Sequence, residues 1–211
     1  GYDDDVGPKL IFIGDIVKVR HELRFPDIIT RVKANDGIKA TREKRSSVSF
    51  NTGTNGLTAL QDVANKLGLG IRDIPSSISG QYLKGFSYAG TVKDALNKIT
   101  ERLGLEWSVQ NNELQVLPKR GTIPGASVLI SYAEGLIDAP ERLSDLKNNL
   151  IEDKPKPGYK VKNLLNPNLE PGGVINLQGP NASGSFRIER VQYRGDNYGG
   201  DFLSILEVTE L

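Results

Sequence analysis

The spacing of hydrophobic residues changes twice along this 211-residue chain. It begins with a period of two. Leu10-Ile11-Phe12-Ile13 is apolar, Gly14-Asp15 interrupts it, and Ile16-Val17-Lys18-Val19 resumes. Ile28, Thr30, Val32 and Ala34 then alternate with Ile29, Arg31, Lys33 and Asn35, which predicts a half-buried strand. Phe25-Pro26-Asp27 and Asn35-Asp36-Gly37 are turn signals, the second because glycine accepts positive φ without a Cβ clash. A further strand ends at Val48-Ser49-Phe50. Residues 1–49 therefore read as an N-terminal β-meander, open to pairing with the β region at the other end of the chain.

Between residues 50 and 118 the period becomes helical. Leu57, Leu60, Val63, Ala64 and Leu67 share one helix face, with Thr54 or Asn55 as N-cap and Gly68 as C-cap. Val92, Ala95, Leu96, Ile99 and Leu103 line a second helix, closed by Gly104. Thr91 and Asp94 stand at capping-box spacing, with Asp in the usual Glu/Gln place. The two segments repeat each other. Gly53-Thr54 and Gly90-Thr91 open them, and Leu67-Gly68-Leu69 matches Leu103-Gly104-Leu105. Short strand-like runs flank each helix, and Gln110-Asn111-Asn112 supplies a hairpin turn. The expected unit is β-α-β-β-α-β, with both helices on one face of a small sheet.

Residues 119–158 read as loop or linker. Pro124-Gly125, Ala139-Pro140 and Lys154-Pro155-Lys156-Pro157-Gly158 punctuate them, and Val128-Leu129-Ile130 is one possible strand. Period two returns in residues 159–211. Val174-Ile175-Asn176-Leu177, residues 186–193 and residues 202–208 are strand-like, with glycine-rich turns at 179–184 and 195–200. Two such hairpins predict a small C-terminal β-barrel. The fold class is α+β: the β-α-β-β-α-β domain plus antiparallel barrel-like β domains.

Composition narrows the chemistry more than the fold. Twenty-seven basic and 26 acidic residues leave a net charge of +1, without the basic excess of a phosphate-binding protein. The basic clusters at 18–24, 42–45 and 154–160 have acids among or beside them and read as solvated faces. No apolar run is long enough to cross a bilayer, and the start carries no secretory signal. With no Met even at position 1, the chain is expected to be a fragment or processed product of a longer protein. The absence of Cys excludes disulfides, thiol catalysis and thiolate metal sites, and fits assembly in a reducing cytoplasm.

Catalytic constellations are missing. His21 is the single histidine, in the charged run Arg20-His21-Glu22, and reads as a surface residue of an edge strand. One imidazole without Cys cannot build a zinc site of the usual kind. Asp3-Asp4-Asp5 reads as an acidic start rather than a cation site. The 195–200 turn lacks the Lys-Ser/Thr of a phosphate loop. Trp107, sharing a strand face with Leu105 and Val109, reads as core beneath the helices rather than a stacking platform. No catalytic, cofactor or metal residues are assigned.

Three stretches resemble the baseplate-hub proteins at the distal end of phage and prophage tails. One joins Gly53, Thr54 and Leu60 to the run from Gly85 through Gly90-Thr91 to Leu96. Another is Leu103-Gly104-Leu105-Glu106-Trp107-Ser108-Val109. The third is Leu164-Leu165-Asn166-Pro167-Asn168-Leu169-Glu170-Pro171-Gly172, followed by residues 184–188 and Gly195-Asp196. The resemblance covers the chain from about Gly53 onward, while the first fifty residues match in β character alone. The middle unit is also similar to the small N-terminal domains of secretins. The resemblance implies a non-enzymatic virion tail subunit, assembled in the host bacterial cytoplasm and linking tail tube to tip or spike. Its implied partners are other tail proteins (tube, spike and baseplate subunits) and further copies of itself, with a trimer favoured. It implies no cofactor, nucleic acid or membrane span. Near-zero net charge suits many copies packed side by side. A secretion-system or periplasmic binding module is the alternative. A tail-borne cell-wall hydrolase ranks third, because no catalytic group set is present.

Overall fold

Two separate apolar cores form, one beneath a pair of helices and one on a β-sheet. The computed structural model describes residues 7, 9–35, 44–72, 78, 82–125, 127–143, 158–195 and 200–211. The chain divides into two units. One comprises Phe12–Arg120, and the other Gly1–Ile11 with Gly121–Leu211.

The Phe12–Arg120 unit contains β1 (Asp15–Arg24), β2 (Asp27–Asn35), β3 (Arg45–Asn55), α1 (Gly56–Leu67), β4 (Gly70–Arg72), β5 (Tyr82–Thr91), α2 (Val92–Arg102), β6 (Leu105–Gln110) and β7 (Glu113–Pro118). β1 and β2 form an antiparallel ribbon turning at Phe25-Pro26. The expected meander stops there, since β3 pairs with β5 rather than β2. Val48 and Phe86 supply the reason. Both are buried in the helix core, so β3 is held by what it covers. β3 and β5 run directly into α1 and α2 without a connecting loop.

Capping explains where both helices begin and end. The Asn55 side chain accepts from the Leu57 amide at 2.8 Å, which settles the first N-cap one residue beyond Thr54. Gly53, at φ 88°, lies inside β3 where the register slips between Thr52 and Asn55. At the second helix Thr91 is the cap. Its hydroxyl accepts from the Asp94 amide at 3.1 Å and donates to the Asp94 carboxylate at 2.6 Å. Gly68 ends α1 at φ 73°. Its amide donates to Asn65 and that of Leu69 to Ala64, a Schellman closure that a residue with a Cβ adopts only under strain. After α2, Gly104 stands at φ 66° and its amide donates to the Glu101 carbonyl.

The two helices pack on each other and bury Leu60, Val63, Leu67, Leu96 and Ile99. Leu57 is less deeply set. The single small sheet expected beneath them is in fact two. One is β3-β5; the other is β4-β7-β6, with β4 parallel to β7 and β6-β7 an antiparallel hairpin. The order is β-α-β-β-α-β followed by one more strand, because β7 returns against both β6 and β4.

The second unit contains β8 (Val128–Ser131), β9 (Glu141–Leu143), β10 (Gly158–Leu164), β11 (Val174–Gln178), β12 (Ser183–Gly195) and β13 (Phe202–Glu210). They make one sheet in the order β8-β11-β12-β13-β10-β9. Only the β8-β11 pair is parallel. Two of these strands, β9 and β10, lie where the sequence reads loop or begins the last domain. No sheet closes into a barrel among the described residues, which corrects the barrel-like expectation. The edges are strands of four and three residues, too short to meet along a full seam. Ile130, Val161, Leu169, Ile175, Leu177, Phe186, Ile188, Leu206 and Val208 form the core.

Candidate functional site

The surface features that stand out are a two-faced ribbon and an exposed sheet edge, each on its own unit. From Lys18 onward the ribbon's register puts Val19, His21 and Leu23 opposite Val32, Thr30 and Ile28 on one face. The other face sets Lys18 opposite Lys33 and Arg20 opposite Arg31. The first face is apolar and uncovered: Leu23 is 80% exposed, Ile28 67%, and Phe25 at the tip 99%. The sequence marked a half-buried strand here; the alternation holds, but among the described residues no element of the unit covers its apolar side. The second face places like charges directly across the ladder, a destabilising arrangement. Glu22, 3.2 Å from Arg31, relieves part of it. Lys18, Arg20, Arg31, Val32 and Lys33 line a shallow basin of about 210 Å³. His21 is exposed on the apolar face, with Nδ1 3.0 Å from the Thr30 hydroxyl.

In the other unit the chain from Gly135 to Leu143 runs along the whole of β10. Leu136 bridges to Asn163, the Ile137 amide donates to Lys162, the Leu164 amide donates to Gly135, and β9 completes the row. Leu136 and Asn163 point into the core. Ile137 and Leu164 face outward, 41% and 44% exposed, and Tyr132 is 59% exposed. Tyr132–Glu141 carries three carboxylates (Glu134, Asp138, Glu141) and no basic residue, although Lys162 pairs with Asp138 at 2.7 Å.

The residues singled out from the sequence take structural places. Leu67 and Leu103 are buried in the helix core, and Gly90 backs onto the Tyr88 ring. Trp107 is partly buried against the same core, and its indole N–H donates to the Asn97 side chain of α2 at 2.8 Å. The Leu165-to-Gly172 stretch, with Pro167 and Pro171 inside it, connects β10 to β11. The Leu165 amide donates to Phe202, that of Asn166 to the Ser204 hydroxyl, and that of Asn168 back to the Asn166 side chain. Gly172, at φ 86°, donates to Ile188 and accepts from Ile123. Gly195 ends β12. Asp196, Asp3-Asp4-Asp5 and the Lys/Pro run at 154–157 lie outside the described residues.

Two polar features escape a reading by period. Arg187 donates to the Gly121 carbonyl at 2.8 Å and to Glu189 at 2.6 Å; the other Glu189 oxygen accepts from Thr209 at 2.8 Å. Tyr193 donates to the Leu169 carbonyl. Burial, and then the charge of Glu170, push its hydroxyl from an ordinary 10 up to about 12. The folded state therefore holds this proton where the unfolded chain has lost it. Stability should fall as pH rises from 10 to about 12, and Tyr193→Phe should flatten that fall. Urea midpoints measured across this alkaline range check it; equal slopes for both proteins would refute it.

Among the described residues, no group of three or more His, Asp or Glu gathers as a metal site. No described helix is long and apolar enough to cross a membrane.

No family model matches the sequence. No curated protein matches it either. Solved structures do. The 43 kDa tail protein of prophage MuSo2 from Shewanella oneidensis superposes with a TM-score of 0.67 at 10% identity, over 94% of this chain and 76% of that one. The tail protein from Neisseria meningitidis MC58 gives 0.63 at 12% identity, over 95% and 80%. At such identities the likeness establishes a shared fold.

Proposed function

We propose that this chain is a structural subunit of a phage or prophage tail, sited at the baseplate hub. It links tail tube to tip or spike through protein–protein interfaces and works as a homo-oligomer, with a trimer favoured. The observation that carries this reading is a fold shared with two tail proteins over nearly the whole chain, both units included. The ribbon and the sheet edge support it as surfaces suited to contact rather than to chemistry. Work of this kind is done by buried area and shape, and no bond-making step is assigned to the chain. It belongs to the virion tail, after assembly in the host bacterial cytoplasm.

Immunogold labelling of purified tails, viewed by electron microscopy, tests the proposal. Label confined to the distal end of the tube is the expected result. Label along the tube or on the capsid, or none on intact particles, would remove the hub reading. Genes for outer-membrane export around the coding sequence would favour the secretion-module alternative instead.

A further inference from the structure

The ribbon's register gathers cations that are scattered in the sequence. Lys18 and Arg20 come from β1, and Lys33 and Arg31 stand directly opposite them on β2. Cross-strand neighbours lie about 5 Å apart and alternate residues along a strand about 7 Å, so the four Cα atoms mark the corners of a small rectangle. All four residues are exposed. With Val32 they line the basin of about 210 Å³, and no acidic residue is among that lining. Glu22 meets Arg31 at 3.2 Å and offsets one of the charges. Asp27 lies at the turn, opposite Arg24. The repulsion that remains weakens a two-stranded ribbon, which is marginal in water to begin with.

We propose that this basin binds clustered phosphate oxygens, as a free diphosphate or as the phosphates of anionic lipid headgroups. Arginine and lysine are the side chains that hold phosphate, through paired N–H donors and through charge. Four cations around one basin favour an anion with several negative oxygens over a single carboxylate. The ribbon face they occupy carries no aromatic side chain, so it offers nothing on which to stack a base or a sugar. Space of this size holds several waters, which the anion displaces. Occupation cancels the like-charge repulsion across the ladder and so stiffens the ribbon. Because the basin is open to solvent, binding weakens as salt is raised. The apolar face takes no part, and the inference is independent of the tail-subunit reading.

Hydrogen exchange on the full chain, with ionic strength held constant by sodium chloride, tests it. Sodium pyrophosphate should slow exchange in β1 and β2 about fivefold and leave β6 and β7 unchanged. Arg20→Gln combined with Lys33→Gln should abolish that slowing. Without any anion, the same double variant should exchange more slowly in the ribbon than the unsubstituted protein, because the repulsion is relieved. Lys84→Gln combined with Lys93→Gln, at exposed sites elsewhere in the unit, should leave the slowing intact. Vesicles of phosphatidylglycerol in phosphatidylcholine separate the two sources. Slowing by pyrophosphate alone means a free anion; slowing by vesicles that the Arg20→Gln, Lys33→Gln pair abolishes means a lipid phosphate. Slowing that sodium chloride reproduces, or that survives in this double variant, overturns the inference. So does an unchanged ribbon with both probes.

Discussion

Glu189→Ala should cost about 3 kcal/mol of stability, the lower end of the range for breaking a buried ion pair. The Arg187 and Glu189 side chains keep only 10% and 13% of their exposure, so water gives them little compensation. Without Glu189 the Arg187 guanidinium keeps the Gly121 carbonyl but loses the Glu189 carboxylate, and the Thr209 hydroxyl loses its acceptor. Replacing both charges, as Arg187→Met with Glu189→Leu, should recover most of the loss, because no charge is then left buried at the pair. Urea unfolding of the three proteins provides the measurement. A loss below about 1 kcal/mol for Glu189→Ala would mean that the pair behaves like an ordinary surface contact.

The second large effect lies in the other unit. Leu60→Ala and Leu96→Ala each remove a fully buried side chain from corresponding places in the two repeats and should each cost about 2–5 kcal/mol. Leu57→Ala, on the same helix but only partly buried, should cost clearly less. Hydrogen exchange adds a location to the energy. Protection should fall in β6 and β7, which share that core, more than in β12 and β13, whose residues pack in the other. Equal loss of protection in both sets would mean that the two cores do not open independently.

The helices and their ends were the most legible part of the chain. A period of 3.6 residues, a cap with a side-chain acceptor and a terminal glycine are local signals, and each marks a local structure. Pairing was less legible because it depends on partners distant in sequence. Nothing within residues 45–55 states that β5 is their partner; burial of Val48 beside Phe86 decides it. β10 was hidden because Tyr159 and Val161 are its strong apolar positions, with Lys160 between them, and beyond Lys162 a buried polar residue, Asn163, continues the face.

The ribbon shows the limit from the other direction. Alternation correctly predicted a strand, yet it carries no information on whether the apolar face is covered within the same unit. Its cations were visible as a cluster, but their opposition across the ladder required the register. Arg187 and Glu189 were unremarkable among many charges until β12 and β13 brought Thr209 beside them.

The thirteen-residue β12 has a mechanical consequence. β13 accompanies it from the Phe186–Glu210 pair to the Gly195–Phe202 pair, whereas β8 grips β11 only between residues 128 and 131. A pull along β12 resisted by β13 loads that long ladder in shear, so many hydrogen bonds must break together. A pull that peels β8 away breaks its few bonds one after another. The sheet should therefore be stiff along its central strands and yield first at its edge, with a strength set by the direction of the load.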